Sequence, residues 1–332
     1  MMRLWISAAC LLVLWGCGGS DPSAVEVELP DFPKDNFPPP VVAKSFLDSD
    51  GNLIIEDAML EAALRDISGV AEGALSPNSL ARFQTLTLNG RNIRDIRPLS
   101  ELPFIKNLNL TGNQIEDISP LASLSGIEEL WLGQNSISSI EPLGEMTGLR
   151  LLEIHGNQIK DVSALAGLRQ LERLNLWKNE VTKLDALSGC VLLLHLDIRE
   201  NMVSSLDALS GMTRLRVLMA GDNQIHNLEP LRGLTQLQRI LLGRNLISDL
   251  SPLANLQNLK ELRLAYNSVQ SVLPIAGLQR LEFLELRKNR VQDVSPLYEI
   301  ASLKRIHLWD NPLSLESLSA LRRKFPVGDV MF

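Results

Sequence analysis

From Phe83 to Leu313 the apolar residues follow a 22-residue frame, seen in Ile105-x-x-Leu108-x-Leu110-x-x-Asn113-x-Ile115-x-x-Ile118-x-Pro120-Leu121-x-x-Leu124. The alternation Leu108-x-Leu110 predicts a short strand, because every second side chain of a strand shares a face. The wider spacing of Ile115, Ile118, Leu121 and Leu124 predicts a 3₁₀ or helical return. Numbering each coil from its first apolar residue, positions 1, 4, 6, 11, 14, 17 and 20 are almost always Leu, Ile, Val or Met. No single coil can bury that set alone, so eleven coils over 83–313 are expected to stack around one continuous interior. Position 16 is proline in seven coils, Pro98, Pro120, Pro142, Pro230, Pro252, Pro274 and Pro296, and Ala164, Ala186 or Ala208 in three. Proline fixes φ and removes an amide donor, which suits the first turn of a short 3₁₀ segment on the convex side.

Position 9 is asparagine ten times: Asn113, Asn135, Asn157, Asn179, Asn201, Asn223, Asn245, Asn267, Asn289 and Asn311. In the first coil Arg91 holds that slot. This frame resembles the leucine-rich repeat consensus, in the 22-residue form found in internalins and in a nuclear phosphatase regulatory subunit. The resemblance implies an α/β solenoid, a curved horseshoe of about eleven parallel strands with an irregular convex side and helical caps. It also implies that the asparagine amides form a ladder serving loop backbone that would otherwise go unpaired.

The ends depart from the frame. Leu60, Ala63, Leu64 and Ile67 make one helical face, and Ser76-Pro77 opens a second short helix, so 46–82 reads as an N-terminal helical cap. At the other end Leu315, Leu318, Leu321 and Phe325 share a face, predicting a capping helix over 314–332.

The first residues change the expected address. An apolar run from Leu4 to Trp15 is too short to span a bilayer and is followed by Gly16-Cys17, which resembles a lipoprotein signal peptide over 1–16. Cys17 would then be lipidated and anchor the chain in a bacterial envelope, with several acyl chains for a stable hold. Gly18 stands where an inner-membrane retention aspartate would, which points to the outer membrane. An ordinary secretory leader is the other reading. Residues 17–45, with Pro38-Pro39-Pro40, form a Pro-rich acidic tether. Cys10 would leave with the leader, and Cys190 occupies an apolar core slot, so a packing role is expected for its thiol. The formal net charge of −7 argues against nucleic-acid binding.

Candidate chemistry is confined to positions 2, 3, 5, 7 and 8, which face outward, mostly along the concave side. Trp131, Trp177 and Trp309 fall there, as do His155, His195 and His307. Stacking groups Trp131, Leu151, Glu153, His155 and Trp177 into a first patch, and Val217, Met219 and Leu241 into an apolar second. Arg263, Arg287, Arg305, His307 and Trp309 make a basic-aromatic third, partly countered by Glu261 and Glu285. His155 and His195 lie two coils apart, too far to share a zinc ion. Asp48-Ser49-Asp50-Gly51-Asn52 lacks the glycine and glutamate spacing of a calcium loop and reads as a turn. No nucleophile elbow, phosphate loop or HExxH helix occurs, so neither an enzyme nor a cofactor is expected. The resemblance implies a binding protein for a protein or peptide partner, by analogy of fold. Recognition of a glycan, cell wall or lipopolysaccharide is one alternative. An intracellular regulatory subunit like the phosphatase-binding member of the class is another.

Overall fold

The computed structural model describes residues 45–325 and 329–331. The leader, Cys17 and the tether up to Lys44 lie outside the described residues. Eleven three-residue strands, β1 (Thr85–Thr87) through β11 (Arg305–His307), recur every 22 residues and pair in parallel, each with the next in sequence. The register is that of the repeat: Leu86 opposes Leu108, and Leu108 opposes Leu130. Position 4 is buried in every coil, while positions 3 and 5 point to the opposite face, since strand side chains alternate.

A twelfth strand, β12 (Asp329–Met331), extends the sheet beyond the eleven expected, pairing in parallel with β11. The interval from Arg305 to its partner Asp329 is 24 residues, not 22, because an α-helix replaces the 3₁₀ return in the last coil. That helix is Leu315–Lys324, capped by the Ser314 hydroxyl accepting from the Ser317 amide. It therefore fills only part of the 314–332 expected to be helical. Leu315 does not join its apolar face. It is 83% exposed at the first helical position, and Leu321 alone of the four predicted residues is fully buried.

The ladder asparagines behave as the resemblance implied, and the geometry gives the reason. Asn201 Oδ1 accepts from the Val181 amide at 2.9 Å, while Nδ2 donates to the carbonyls of Leu176 at 3.0 Å and Ile198 at 3.1 Å. Two of the three bonds reach into the preceding coil. The same three bonds recur from Asn113, which serves Ile93 and Leu88, to Asn311, which serves Val291 and Leu286. The first coil has no predecessor, so Arg91 there pairs with Asp66 of the cap instead, at 2.9 Å.

Two further periodic features shape each coil. Position 13 is Asp, Ser or Asn in every coil from one to ten except at Lys183. Its side chain accepts the amide two residues on and so opens the 3₁₀ segment, as Asp117 does for Ser119 and Asn227 for Glu229, both near 2.9 Å. The coils with Ala164, Ala186 and Ala208 in place of proline form the same 3₁₀ turn. Position 8 adopts a positive φ in all eleven coils, with glycine in three and Gln134, Lys178, Glu200, Asp222, Arg244, Tyr266, Lys288 or Asp310 in the rest. A left-handed backbone costs a side-chain-bearing residue about 1–2 kcal/mol. It persists because the ladder amide at position 9 and the strand-like bond from the position 8 amide to the next coil fix the turn, as Arg244 N–H does to Ala265 at 2.7 Å.

The N-terminal cap is built as expected, from α1 (Ala58–Ser68) and α2 (Pro77–Leu80). Leu60, Ala63 and Leu64 are buried, and Ile67 packs against the core. Asp57 fastens this cap to the repeats. One carboxylate oxygen caps α1 through the Met59 and Leu60 amides, and the other takes the amides of Arg94 and Asp95 at 2.7 and 3.0 Å. Asp48 closes its own turn by accepting the Asp50 and Asn52 amides, and among the described residues no cluster fit to hold a metal occurs.

Asn201→Ala is expected to leave three buried backbone groups unpaired and cost on the order of 3 kcal/mol, against less than about 1 kcal/mol for Arg91→Ala, whose ion pair is exposed. Urea unfolding followed by circular dichroism checks both. Burial pushes the Asp57 carboxyl up, but its four amide donors outweigh this and hold it below the usual aspartate value. Its contribution is therefore present above the unfolded value and is lost as pH falls through the depressed one. Asp57→Ala should destabilise the cap by roughly 1–2 kcal/mol at pH 7, an effect that shrinks in acid titration below about pH 4.

Candidate binding face

Parallel stacking lines up positions 3, 5 and 7 of successive coils as rows across one face of the sheet. The first patch assembles as expected. Trp131 opposes Glu153 across β3 (Glu129–Trp131) and β4 (Leu151–Glu153), whose other end is Leu151. His155 and Trp177, at position 7 of adjacent coils, stack with ring centroids 5.9 Å apart and planes 20° from parallel. The Arg199 guanidinium lies 5.3 Å from the Trp177 ring on the next coil, so three flat groups form one pile. Glu153 borders the pile. It accepts the Asn175 amide at 2.7 Å and lies 3.7 Å from His155 Nδ1. Position 7 of the preceding coil is Gly133, and a Cβ there would clash with the His155 ring, 2.3 Å from Cε1. The histidine can lie flat only because that side chain is missing. A cavity of about 390 Å³ opens beside the pile, lined by Gln134, His155, Trp177 and Lys178.

The second patch also forms. Val217 and Met219 share β7 (Val217–Met219), and Leu241 opposes Met219 on β8 (Arg239–Leu241), all three half-buried. The basic-aromatic third forms too, with Glu261 and Glu285 against its arginines. Its centre is Phe283, 5% exposed, which the repeat register places at position 3 but which sequence reasoning passed over. Arg263 and Arg305 lie over the Phe283 ring at 4.8 and 4.5 Å, and His307 meets it edge-on at 5.1 Å. Tyr266 was missed as well. It stands between Arg244 at 4.4 Å and Arg287 at 5.4 Å, and Arg287 also lies 5.6 Å from Trp309. Trp309 itself is 37% exposed.

The arginines of this face are held from behind. Asp197 receives Arg199 through Nε and Nη2, Glu261 receives both Arg239 and Arg263, and Glu285 lies 2.9 Å from Arg287. The carboxylates sink into the sheet, with Asp197 4% and Glu285 9% exposed. What faces solvent is therefore the guanidinium and not its counter-ion. His195 lies nearby with its imidazole pushed below its usual value, first by burial and then by Arg173 and Arg216, so it is neutral at pH 7. His155, His195 and His307 do not converge. Cys190 lies away from this face, buried, with its thiol directed at the Leu165 and Leu168 carbonyls and pushed up to about 11 by burial. It is a packing residue.

Comparison with known proteins agrees with this architecture. A family model described as leucine-rich repeats in two copies matches residues 84–123, 125–167 and 213–255. Internalin C2 from Listeria monocytogenes is 31% identical, aligns over 69% of this chain and 93% of its own, and superposes with a TM-score of 0.56. The chain belongs to the internalin-like leucine-rich repeat proteins. Internalin inlF of the same bacterium matches this internalin-like chain at 27% identity over 81% of it and 86% of inlF, with a TM-score of 0.72. The fold extends to plants. The ectodomain of the Arabidopsis thaliana receptor kinase GASSHO1/SCHENGEN3, solved in complex with CASPARIAN STRIP INTEGRITY FACTOR 2, is 20% identical over 72% of this chain and 33% of its own, with a TM-score of 0.61. Among curated proteins none matches the sequence. Within this chain the core and ladder positions recur from coil to coil while the strand-face positions differ.

Gly133→Ala in the internalin-like chain should swing His155 off Trp177 while leaving the strands intact. Acrylamide quenching of Trp177 fluorescence, with the other four tryptophans (Trp5, Trp15, Trp131 and Trp309) replaced by phenylalanine in both proteins compared, is expected to rise. Unchanged quenching would mean that the ring pile does not depend on the glycine.

Proposed function

We propose that this protein is a non-catalytic cell-envelope lipoprotein, anchored through Cys17, whose strand face holds a protein partner. The observation that carries the reading is the ring pile of His155, Trp177 and Arg199 beside Trp131. It offers large, rigid, half-buried aromatic area next to a cavity, the composition that dominates protein interfaces. Nothing in the fold requires these residues at positions 5 and 7, since other coils hold Gly, Thr or Asn there. The plant receptor of the same fold, solved with its factor, is a precedent for the use of such a scaffold.

Photo-crosslinking tests the reading directly. With p-benzoylphenylalanine in place of Trp131, irradiated cells should yield a discrete protein adduct. The double variant Trp131→Ala, Trp177→Ala should bind the identified partner more weakly by about 2 kcal/mol or more, on the order of 30-fold in affinity, with unchanged circular dichroism. Retained affinity, or adducts formed only with glycan, would overturn it. The anchor is tested separately: labelled palmitate should be incorporated, and Cys17→Ala should abolish incorporation.

A further inference from the structure

The strand face changes sign along the stack. At positions 3, 5 and 7, coils one to four carry Glu129 and Glu153 and no lysine or arginine, whereas coils five to eleven carry six arginines against three carboxylates. Within the positive stretch, position 7 is empty of bulk for three coils running, at Gly221, Gly243 and Ala265, between Arg199 and Arg287. The result is a trench of about 330 Å³. Its floor is backbone, its apolar side is Leu241, and its opposite rim carries Asp222, Arg244 and Tyr266 from position 8, with Asp222 3.5 Å from Arg244. The glycines also let the coils approach closely, since a Cβ on Gly221 would lie 3.1 Å from the Gly243 carbonyl.

Both ends of the trench are cationic at the surface. The side chains of Arg199 and Arg287 are each 37% exposed, while those of their partners Asp197 and Glu285 are 5% and 11% exposed. At each end a ligand meets more of the guanidinium than of the carboxylate behind it, and four arginines line the trench against Asp222 and Glu285. The carboxylate behind also fixes the guanidinium in place before anything binds, which lowers the ordering cost of binding. Arg199 gives Nε and Nη2 to Asp197, so Nη1 keeps N–H groups that this pair does not use.

We propose that this trench is a docking site for an extended acidic segment of a partner protein, with a carboxylate at each end and an apolar side chain between them. The inference rests on the protein-binding reading above and adds the chemistry of the partner. Arg199 and Arg287 stand four strand spacings apart, about 19 Å at ~4.8 Å per strand. An extended chain covers that span with about six residues at ~3.3 Å each. The terminal carboxylates meet the two arginines, and the apolar residue lies on Leu241 beside the Tyr266 ring.

The test uses the full chain and acetylated, amidated hexapeptides, so that terminal charges play no part. Three are compared by fluorescence anisotropy: Glu at both ends with a leucine centre, the same with Gln, and the same with Lys. The Glu peptide should bind at least tenfold more tightly than the Lys peptide, with an affinity that falls as salt rises. Arg244→Glu reverses an exposed charge on the rim without touching the core or the buried pairs, and should weaken the Glu peptide at least tenfold. Trp131→Ala should leave it unchanged. Equal binding of the Glu and Lys peptides, no binding of either at millimolar concentration, or no effect of Arg244→Glu would each overturn the trench. If the partner crosslinked through position 131 is still captured after Arg244→Glu, the protein-binding reading stands and only the acidic-segment assignment falls.

Discussion

Everything in this fold depends on how a buried side-chain amide serves a backbone that cannot serve itself. Between the short strand and the convex return, each coil turns a corner where its own amide and carbonyl groups find no ladder partner, and burying them unpaired would cost several kcal/mol per coil. Asparagine has one acceptor and two donors on a side chain short enough to stay at the corner. Two of its three bonds tie each corner to the one before it. Aspartate would lack the donors, and glutamine would overreach. The core leucines supply the drive to stack, while the amides fix the register of the stack, and register is what brings position 7 of one coil beside position 7 of the next.

The same corner explains the row of left-handed residues. Once the amide and the strand bonds fix the turn, position 8 must accept a positive φ whatever residue it holds, and eight coils hold a residue with a side chain there. The backbone strain places Arg244, Tyr266 and Lys288 at the rim of the strand face, where they line the trench or stack on its walls. A structural constraint of the corner thus becomes a supply of projecting side chains.

Much of this was legible in the residues themselves. The frame, the ladder, the 3₁₀ returns and the pairing of His155 with Trp177 follow from strict spacing, because parallel stacking converts sequence register directly into contact. The left-handed row was not legible, since Gln134, Lys178, Glu200 and Tyr266 share no preference for that conformation and adopt it under tertiary demand. Phe283 was missed because an outward slot was assumed to be wet, whereas two arginines cover it. Leu315 was misplaced because helical periodicity says which residues share a face but not how far the neighbouring coil extends to cover it. The twelfth strand was hidden by a 24-residue interval, which breaks the count that revealed the others.

The one-way reach of each amide has a consequence for how such a chain can change. Because a coil is serviced by its own asparagine and by that of its successor, excising or duplicating a whole unit in the middle leaves both new neighbours with the correct donors and acceptors, as with links removed from a watch strap. Length is thereby a cheap variable over generations, while the order of the links is not. Losing the coil that carries Gly243 would bring Arg199 and Arg287 one strand spacing nearer with little harm to the interior, and a ligand cut to the old gauge would no longer fit.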